Sequence, residues 1–337
     1  MLSFDNLGLE IVRASTITPK AYDWLWEPWL CKGKLHLLAG QGGSGKTTIA
    51  LAIAAALTTG KPLPDGSVCG PHSVLMWSGE DDLDDTLIPR ALAAGADLDR
   101  LHFIGSVLTP DGKRSFDPKT DFDLVAWADF DPKLLIIDPI STVATDANDT
   151  SKVRTALGPL VAMCQSKGIA ILGITHFAKG TKERPAVERV LGSQAWTNAA
   201  RIVWVTVTGE DEEGNQTYGL TIAKSNIGPT GGGWSYSSRE ACIDGITSRA
   251  VEWGVPLEGS VSAVLKNIEA HADERQARND AEDWLFSHLN DSKTPAAEIY
   301  ALAKAAGYSV DRIKRASVAL KVTKTKDGFC GGWQWSL

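Results

Sequence analysis

Cysteine is scarce in this 337-residue chain: Cys31, Cys69, Cys164, Cys242 and Cys330 are odd in number, scattered, and never spaced as CxxC. That argues against a disulfide framework or a zinc site and fits a reducing cytoplasm, the expected location. Long apolar runs are missing too. The longest, Ile49 to Leu57, is too short to span a bilayer, so no membrane association is expected. No basic stretch followed by an apolar core opens the chain, which excludes a secretory signal there. Internal repeats and low-complexity tracts are absent.

Net positive charge is also lacking. At −7 the chain does not read as a simple nucleic-acid coat protein. The balance is uneven, however. Between Lys293 and Lys326 eight basic residues face only Glu298 and Asp311, a net of +6 that leaves −13 for the rest. An acidic body with a basic tail module follows, and the tail is a candidate DNA contact or a solvated basic face.

What the sequence does have is a series of short, continuous apolar runs: Leu35–Ala39, Ser73–Trp77, Leu101–Ile104, Leu134–Ile137 and Ile169–Ile174. Helical stretches alternate with them, after the first run to about Thr58, then near Leu83–Ala94, Phe122–Ala128 and Lys152–Lys167. Continuous rather than alternating apolar strands separated by helices predict an α/β fold, with a parallel sheet covered on both faces. Past Arg201, Ile202–Thr208 and Thr217–Lys224 flank the acidic turn 209–215 and predict an antiparallel extension. The expected divisions are an N-terminal segment 1–30, a core 31–258, a linker 259–280 and a small C-terminal domain 281–337.

In the tail, Thr294-Pro295 predicts a helix start, Ala306-Gly307-Tyr308 a tight turn, and Ser309 the cap of a helix from Val310 to about Leu320. Asp327-Gly328 predicts a short hairpin. Helix, turn, helix and hairpin match a winged helix-turn-helix. Arg312 and Arg315 lie beside the apolar stripe Ile313, Ala316 and Leu320 and would face outward. A small three-helix packing module is the alternative.

The chemistry concentrates at Gly40-Gln41-Gly42-Gly43-Ser44-Gly45-Lys46-Thr47, a GxxxxGK[ST] loop between a strand and a helix, with Thr48 next in line. Glycines let successive backbone N–H groups turn toward one anion. Lys46 adds a charge for the β/γ-phosphates, Thr47 a hydroxyl for Mg²⁺, and the helix N-terminus its dipole. ATP with Mg²⁺ is the expected ligand. Asp138, ending Leu134–Ile137, is the expected carboxylate behind the metal. Hydrolysis also needs a group that orients water. The place after Asp138 is Pro139, which cannot serve, so Glu80 at the end of Ser73–Trp77 is the candidate base. Asp81, Asp82, Asp84 and Asp85 are expected in the acidic first turn of the following helix, a group that could also absorb Glu80. His176 ends the Ile169–Ile174 strand and is read as a γ-phosphate sensor or DNA coupler, or as a structural strand-end histidine.

Taken together, several pieces resemble the RecA-like ATPases, and more closely the hexameric helicase branch of plasmid and phage replication proteins of the RepA type. They are Trp24-Leu25-Trp26-Glu27, the GQGGSGKTT loop, Ser78–Asp82 with Arg90 downstream, Ile137-Asp138-Pro139, Thr175–Lys179, Leu191–Ala195 with Asn198–Arg201, and Lys224-Ser225-Asn226. They keep their order over roughly residues 20–235. The resemblance implies a RecA-like core with the catalytic Glu following the second strand. It also implies a homo-oligomeric ring in which a neighbour's positive group reaches the γ-phosphate. DnaB-like proteins carry that group in a Lys-x-Arg pair, whose Arg place is Asn226 here. Lys224 or Arg201 is then the trans-acting residue, Arg201 being favoured. RecA-like proteins place a DNA-binding loop after the sensor strand, and here Phe177–Gly192 carries Lys179, Lys182, Arg184 and Arg189 as candidate contacts to single-stranded DNA. The Trp24–Trp29 cluster fits adenine stacking, contact with a neighbouring subunit, or burial against the sheet edge. The last is preferred.

The leading expectation is an ATP-driven hexameric helicase or translocase in replication of a plasmid, phage or integrated element. Two alternatives stand beside it: a RecA/RadA-like recombination ATPase, and an ATP-controlled initiator whose tail binds duplex DNA or a replication partner.

Overall fold

The structure is a computed structural model that describes residues 11–127, 130–178, 186–190, 194–210, 216–243, 245–259, 263–264, 280–289, 293–326 and 332–337. Its body is a nine-stranded sheet. In chain order, β1 (Trp24–Trp26) and β2 (Leu30–Cys31) form a small hairpin of their own, and β3 (Leu35–Gly40) enters the sheet. Helix α1 (Lys46–Thr59), β4 (Ser73–Ser78), α2 (Ile88–Ala94) and β5 (Leu101–Phe103) follow. A separate ribbon, β6 (Ser106–Thr109) with β7 (Gly112–Ser115), precedes β8 (Pro132–Asp138), α3 (Thr150–Lys167) and β9 (Ala170–His176). The body closes with α4 (Gln194–Ala199), β10 (Ile202–Glu210), β11 (Gln216–Ser225), β12 (Gly233–Ile243) and β13 (Ile246–Leu257).

The spatial order is β13-β12-β11-β10-β3-β9-β8-β4-β5. From β10 to β5 every neighbouring pair is parallel, and from β10 outward to β13 every pair is antiparallel. The apolar runs form parallel strands because both faces are covered. Leu35, Leu37, Leu135 and Ile137 point into one core with α3 residues Val153, Leu157 and Leu160. Leu38, Leu134, Ile136 and Leu172 point into the other with Ile49, Ile53 and Leu57 of α1. Helix α1 is apolar nearly all round because it is buried nearly all round.

The N-terminal tryptophan cluster belongs to this second core. Trp26 stacks on Trp29 at 4.8 Å between centroids, and Trp204 of β10 meets both edge-on. Two of the indoles are engaged: Trp26 Nε1 donates to Asp65 Oδ2 at 3.0 Å and Trp204 Nε1 to the Trp29 carbonyl at 3.2 Å. Burial is the reading that holds, over the face of β10 rather than the sheet edge. Trp26→Ala is expected to lower the unfolding free energy by roughly 3–5 kcal/mol, measured by denaturant titration. An unchanged midpoint would show that the cluster adds nothing to stability.

The strands fall within two residues of the sequence expectation, but two departures are instructive. Strands β12 and β13 were not expected, because each is polar on its solvent side and lacks a continuous apolar run. The acidic run also divides. Asp84 and Asp85 lie in the first turn of a π-helical segment, Leu83–Leu87, that leads into α2. Asp81 stands outside it, paired to Arg90 at 2.7 Å. Between Phe122 and Trp127 the chain is a 3₁₀ helix.

Residues from 280 onward have a core of their own, built from Ala281, Leu285, Leu289, Ile299, Ala303, Ile313, Ala316, Val322 and Trp335. Helical residues 280–289 (α5) are followed by β14 (Thr294–Pro295), α6 (Ala296–Ala305), α7 (Val310–Ala319), β15 (Thr323–Lys326) and β16 (Trp333–Ser336). The strands form one sheet in the order β14-β16-β15. Ser309 caps α7, its Oγ accepting from the Arg312 amide at 3.3 Å, and Gly307 makes the turn with φ of 88°. Thr294-Pro295 corrects the expectation of a helix start. Pro295 is extended (ψ 132°) and Thr294 pairs with Trp335, so the helix begins only at Ala296. The Asp327-Gly328 turn lies outside the described residues. So does most of the expected linker, within which Val264 packs into the α3-side core of the body.

Candidate nucleotide site

Strand β3 ends at Gly40 and α1 begins at Lys46, so the Gly-rich loop occupies the C-terminal edge of the sheet. Gly40 is required by close approach, since a Cβ there would lie 1.7 Å from Thr206 Oγ1. Gly43 and Gly45 both have φ of +77°, which side-chain-bearing residues avoid. Strand β9 lies between β3 and β8, bringing three strand ends together. Thr47 Oγ1 donates to Asp138 Oδ2 at 2.6 Å, and His176 Nδ1 lies 3.3 Å from Lys46 Nζ. Gly79 N donates to the Asp138 carbonyl at 2.8 Å, tying the end of β4 to the end of β8 and setting Glu80 beside the loop. A cavity of about 500 Å³ opens here, lined by the loop, Glu80, Arg90, Asp138, His176 and residues of β12 and β13.

Electrostatics mark the same spot. Lys46 is buried and donates to the Gln41 and Gly40 carbonyls at 2.7 and 3.3 Å. Burial lowers its pKa, with Asp138 and Glu80 opposing. Burial likewise pushes Asp138 up to about 6, helped by repulsion from Glu80 and Asp81 and opposed by Thr47 and Lys46. A carboxyl raised by folding contributes stability that is complete below about pH 4 and lost as pH rises through about 6. At neutral pH the folded chain therefore holds a costly anion next to a costly cation. His176 is lowered, by burial first and then by Lys46, so its imidazole is neutral at neutral pH.

A model of the AAA domain family matches residues 5–182, just over half of the chain. The chain belongs to this AAA domain family. It is a P-loop ATPase with a RecA-like core. The chain is also 28% identical over 155 residues to the DNA repair protein RadA of Bacillus subtilis (strain 168), a stretch that covers 44% of this chain and 29% of RadA. It thus spans less than a third of that relative's length.

The residues of the ATPase fit a magnesium–nucleotide complex. Lys46 and Asp138 both have pKa values shifted toward the uncharged form, and a triphosphate and a divalent cation carry the complementary charges. Among the described residues no group of three His, Cys, Asp or Glu side chains comes together. Mg²⁺ takes one or two protein oxygens and otherwise phosphate and water. Thr47 and Asp138 would hold it, and when bound it supplies neutralising charge to the β- and γ-phosphates.

The other expected residues divide. Arg201 is exposed, and its amide donates to the Leu35 carbonyl at 2.8 Å, at the start of β3. Lys224 pairs with Val203 at the same end, and its Nζ donates to the carbonyls of Thr197 and Ala200. Arg201 stands about 17 Å from Gly40, the length of β3 at ~3.3 Å per residue, so it does not reach the loop of its own chain. Lys224, level with Leu37 through Val203, is about 10 Å from Gly40 along the strand direction. Lys224 is committed to the carbonyl end of α4, a structural anchor. Arg189 is the one basic candidate of the loop among the described residues. It is buried at the base of the loop, 6.0 Å from the centre of the Phe177 ring, with Ala178 N donating to its carbonyl at 2.7 Å. Lys179, Lys182 and Arg184 lie outside the described residues. Arg315 is exposed and Arg312 half-buried on α7, while Ile313 and Ala316 are buried, as the stripe requires. No helix among the described residues is long and apolar enough to cross a membrane.

Sequence reasoning missed the far wall of the cavity. Tyr218 of β11, Tyr236 of β12 and Thr247, Ser248 and Arg249 of β13 all line it. No local signal marks these residues, because only the strand pairing of the extension brings them to the loop.

Proposed function

We propose that this ATPase assembles into a ring, hexameric as in the RepA-type replicative helicases, and uses ATP hydrolysis to move along single-stranded DNA and unwind duplex ahead of it. The observation that carries this reading is the position of Arg201: exposed, and a full strand length from the loop of its own chain. A cation there serves hydrolysis only at a neighbour's site, which makes assembly part of the chemistry. Within each site Lys46, Gly43 and Gly45 cradle the phosphates, Thr47 and Asp138 hold the metal, Glu80 polarises the attacking water and neutral His176 senses the γ-phosphate. The loop 177–192 is the proposed DNA track. The similarity to RadA, a DNA repair protein, supports DNA as the polymer acted on.

The order helix, strand, helix, helix, hairpin from residue 280 supports a winged helix-turn-helix with Arg312 and Arg315 on its outward face. Replication of a plasmid, phage or other mobile element is the setting that fits. A second reading, a RadA-like recombination ATPase without unwinding, draws on the RadA similarity itself. Steady-state ATPase with and without single-stranded DNA, followed by unwinding of tailed duplexes, separates the two. Stimulation of about tenfold or more together with unwinding is expected, as translocation couples the sites. Stimulation without unwinding favours the recombination reading, and duplex binding with neither favours an initiator.

A further inference from the structure

The phosphate loop is held from a strand far away in sequence. Tyr236 of β12 donates its hydroxyl to the carbonyl of Ser44 at 2.6 Å, across 192 residues of chain. Ser44 Oγ donates to the Gln41 carbonyl at 2.9 Å and shares a 2.7 Å hydrogen bond with Thr206 Oγ1. Ser44 sits between Gly43 and Gly45, two residues with no side chain to restrain them and left-handed φ angles. The shape of the cradle therefore hangs on the residue between them. Ser44 and Thr206 are buried, and so is Tyr236. The Tyr236 ring is fixed by stacking on Tyr218 at 5.4 Å and by an edge contact with Trp253 at 6.0 Å. Burial first, then Tyr218, pushes its phenol well above the ordinary tyrosine range, so it is always a donor.

We infer that Tyr236 is a positioning residue that holds the phosphate loop in its nucleotide-binding shape, so that the β12–β13 hairpin and nucleotide affinity are mechanically linked. The inference rests on the loop being the ATP site. Tyr236 lines the cavity wall, but its hydroxyl is committed to the Ser44 carbonyl, and it is through Ser44 that it acts on the loop. Its loss should therefore weaken binding of ground state and transition state alike, raising KM without lowering kcat.

Tyr236→Phe keeps the ring and both aromatic contacts and removes only the donor. KM for ATP, and Kd for a fluorescent ATP analogue, are expected to rise about tenfold, with kcat within about twofold, as for a buried carbonyl left unsatisfied. Ser235→Ala is the control. It removes bonds within the same hairpin, Ser235 Oγ to the Val255 carbonyl and Val255 N to Ser235 Oγ, without reaching the loop, and should leave KM unchanged. Thr206→Val removes the second hold on Ser44 and should raise KM in the same direction; it decides the matter if Tyr236→Phe does not fold. Unchanged affinity in the Tyr236 and Thr206 variants, or an equal rise in Ser235→Ala, overturns the inference. Lys46→Ala tests the ATP site separately. If it still binds nucleotide, the site reading fails; if it does not while Tyr236→Phe is silent, only the positioning role fails.

Discussion

Replacing Glu80 with Gln is expected to lower kcat for ATP hydrolysis by roughly 10²–10⁴-fold while leaving nucleotide affinity within a few-fold. The geometry separates Glu80 from the acids around it. Ser78 Oγ accepts from the amides of Glu80 and Asp81 at 3.4 and 3.1 Å, fixing the turn that carries them. Asp81 then turns to Arg90, whereas Glu80 has no ion-pair partner among the described residues and faces the cavity. An unpaired carboxylate near the metal site is what water activation requires. Its charge also raises Asp138, so removing it relieves repulsion and gives no reason for affinity to fall. Single-turnover hydrolysis with a parallel binding isotherm checks the split. Wild-type turnover in Glu80→Gln would remove it from the reaction.

Arg201→Ala should bind ATP normally yet lose about 10³–10⁵-fold in kcat, the range for a lost trans-acting arginine. The sharper test is complementation. Arg201→Ala subunits keep an intact Glu80, and Glu80→Gln subunits keep an intact Arg201. Mixed equally, they should restore roughly a quarter of the interfaces, the share random head-to-tail assembly gives. Activity in the mixture, absent from either variant alone, is the expected result. Oligomers that form but stay inactive would place the arginine outside the reaction. Lys224→Ala should behave differently, lowering thermal stability by freeing the carbonyls of Thr197 and Ala200, because that ammonium is already engaged.

What could be read from the sequence was what is local. The loop from Gly40 to Thr47 announces itself because a phosphate cradle needs glycines, a lysine and a hydroxyl in one contiguous stretch. Asp138 and His176 were legible because strands buried on both faces are unbroken apolar runs, and residues ending such runs gather on one edge. The unreadable part is long-range. Nothing around Tyr236 tells that its hydroxyl meets Ser44, since that contact depends on β10, β11 and β12 pairing in register. The burial of Arg189 was unreadable for a related reason. In sequence it is one cation in a basic loop, but the bridge between Phe177 and Val190 folds its side chain inward.

The two borders of the large sheet bear on how copies of the ATPase can join. At one border β5 is only three residues long, too little backbone to recruit another strand. At the other, β13 runs for twelve residues, but it carries Arg249, Glu252 and Pro256, and its pairing with β12 slips register near Trp234. Short length, charge, a missing amide and irregular pairing are the features that keep exposed borders from zipping together. Growth of the sheet from one molecule into the next is thereby disfavoured at both ends, so that in the proposed ring subunits would meet through side chains on their flanks, where Arg201 would be offered to a neighbour.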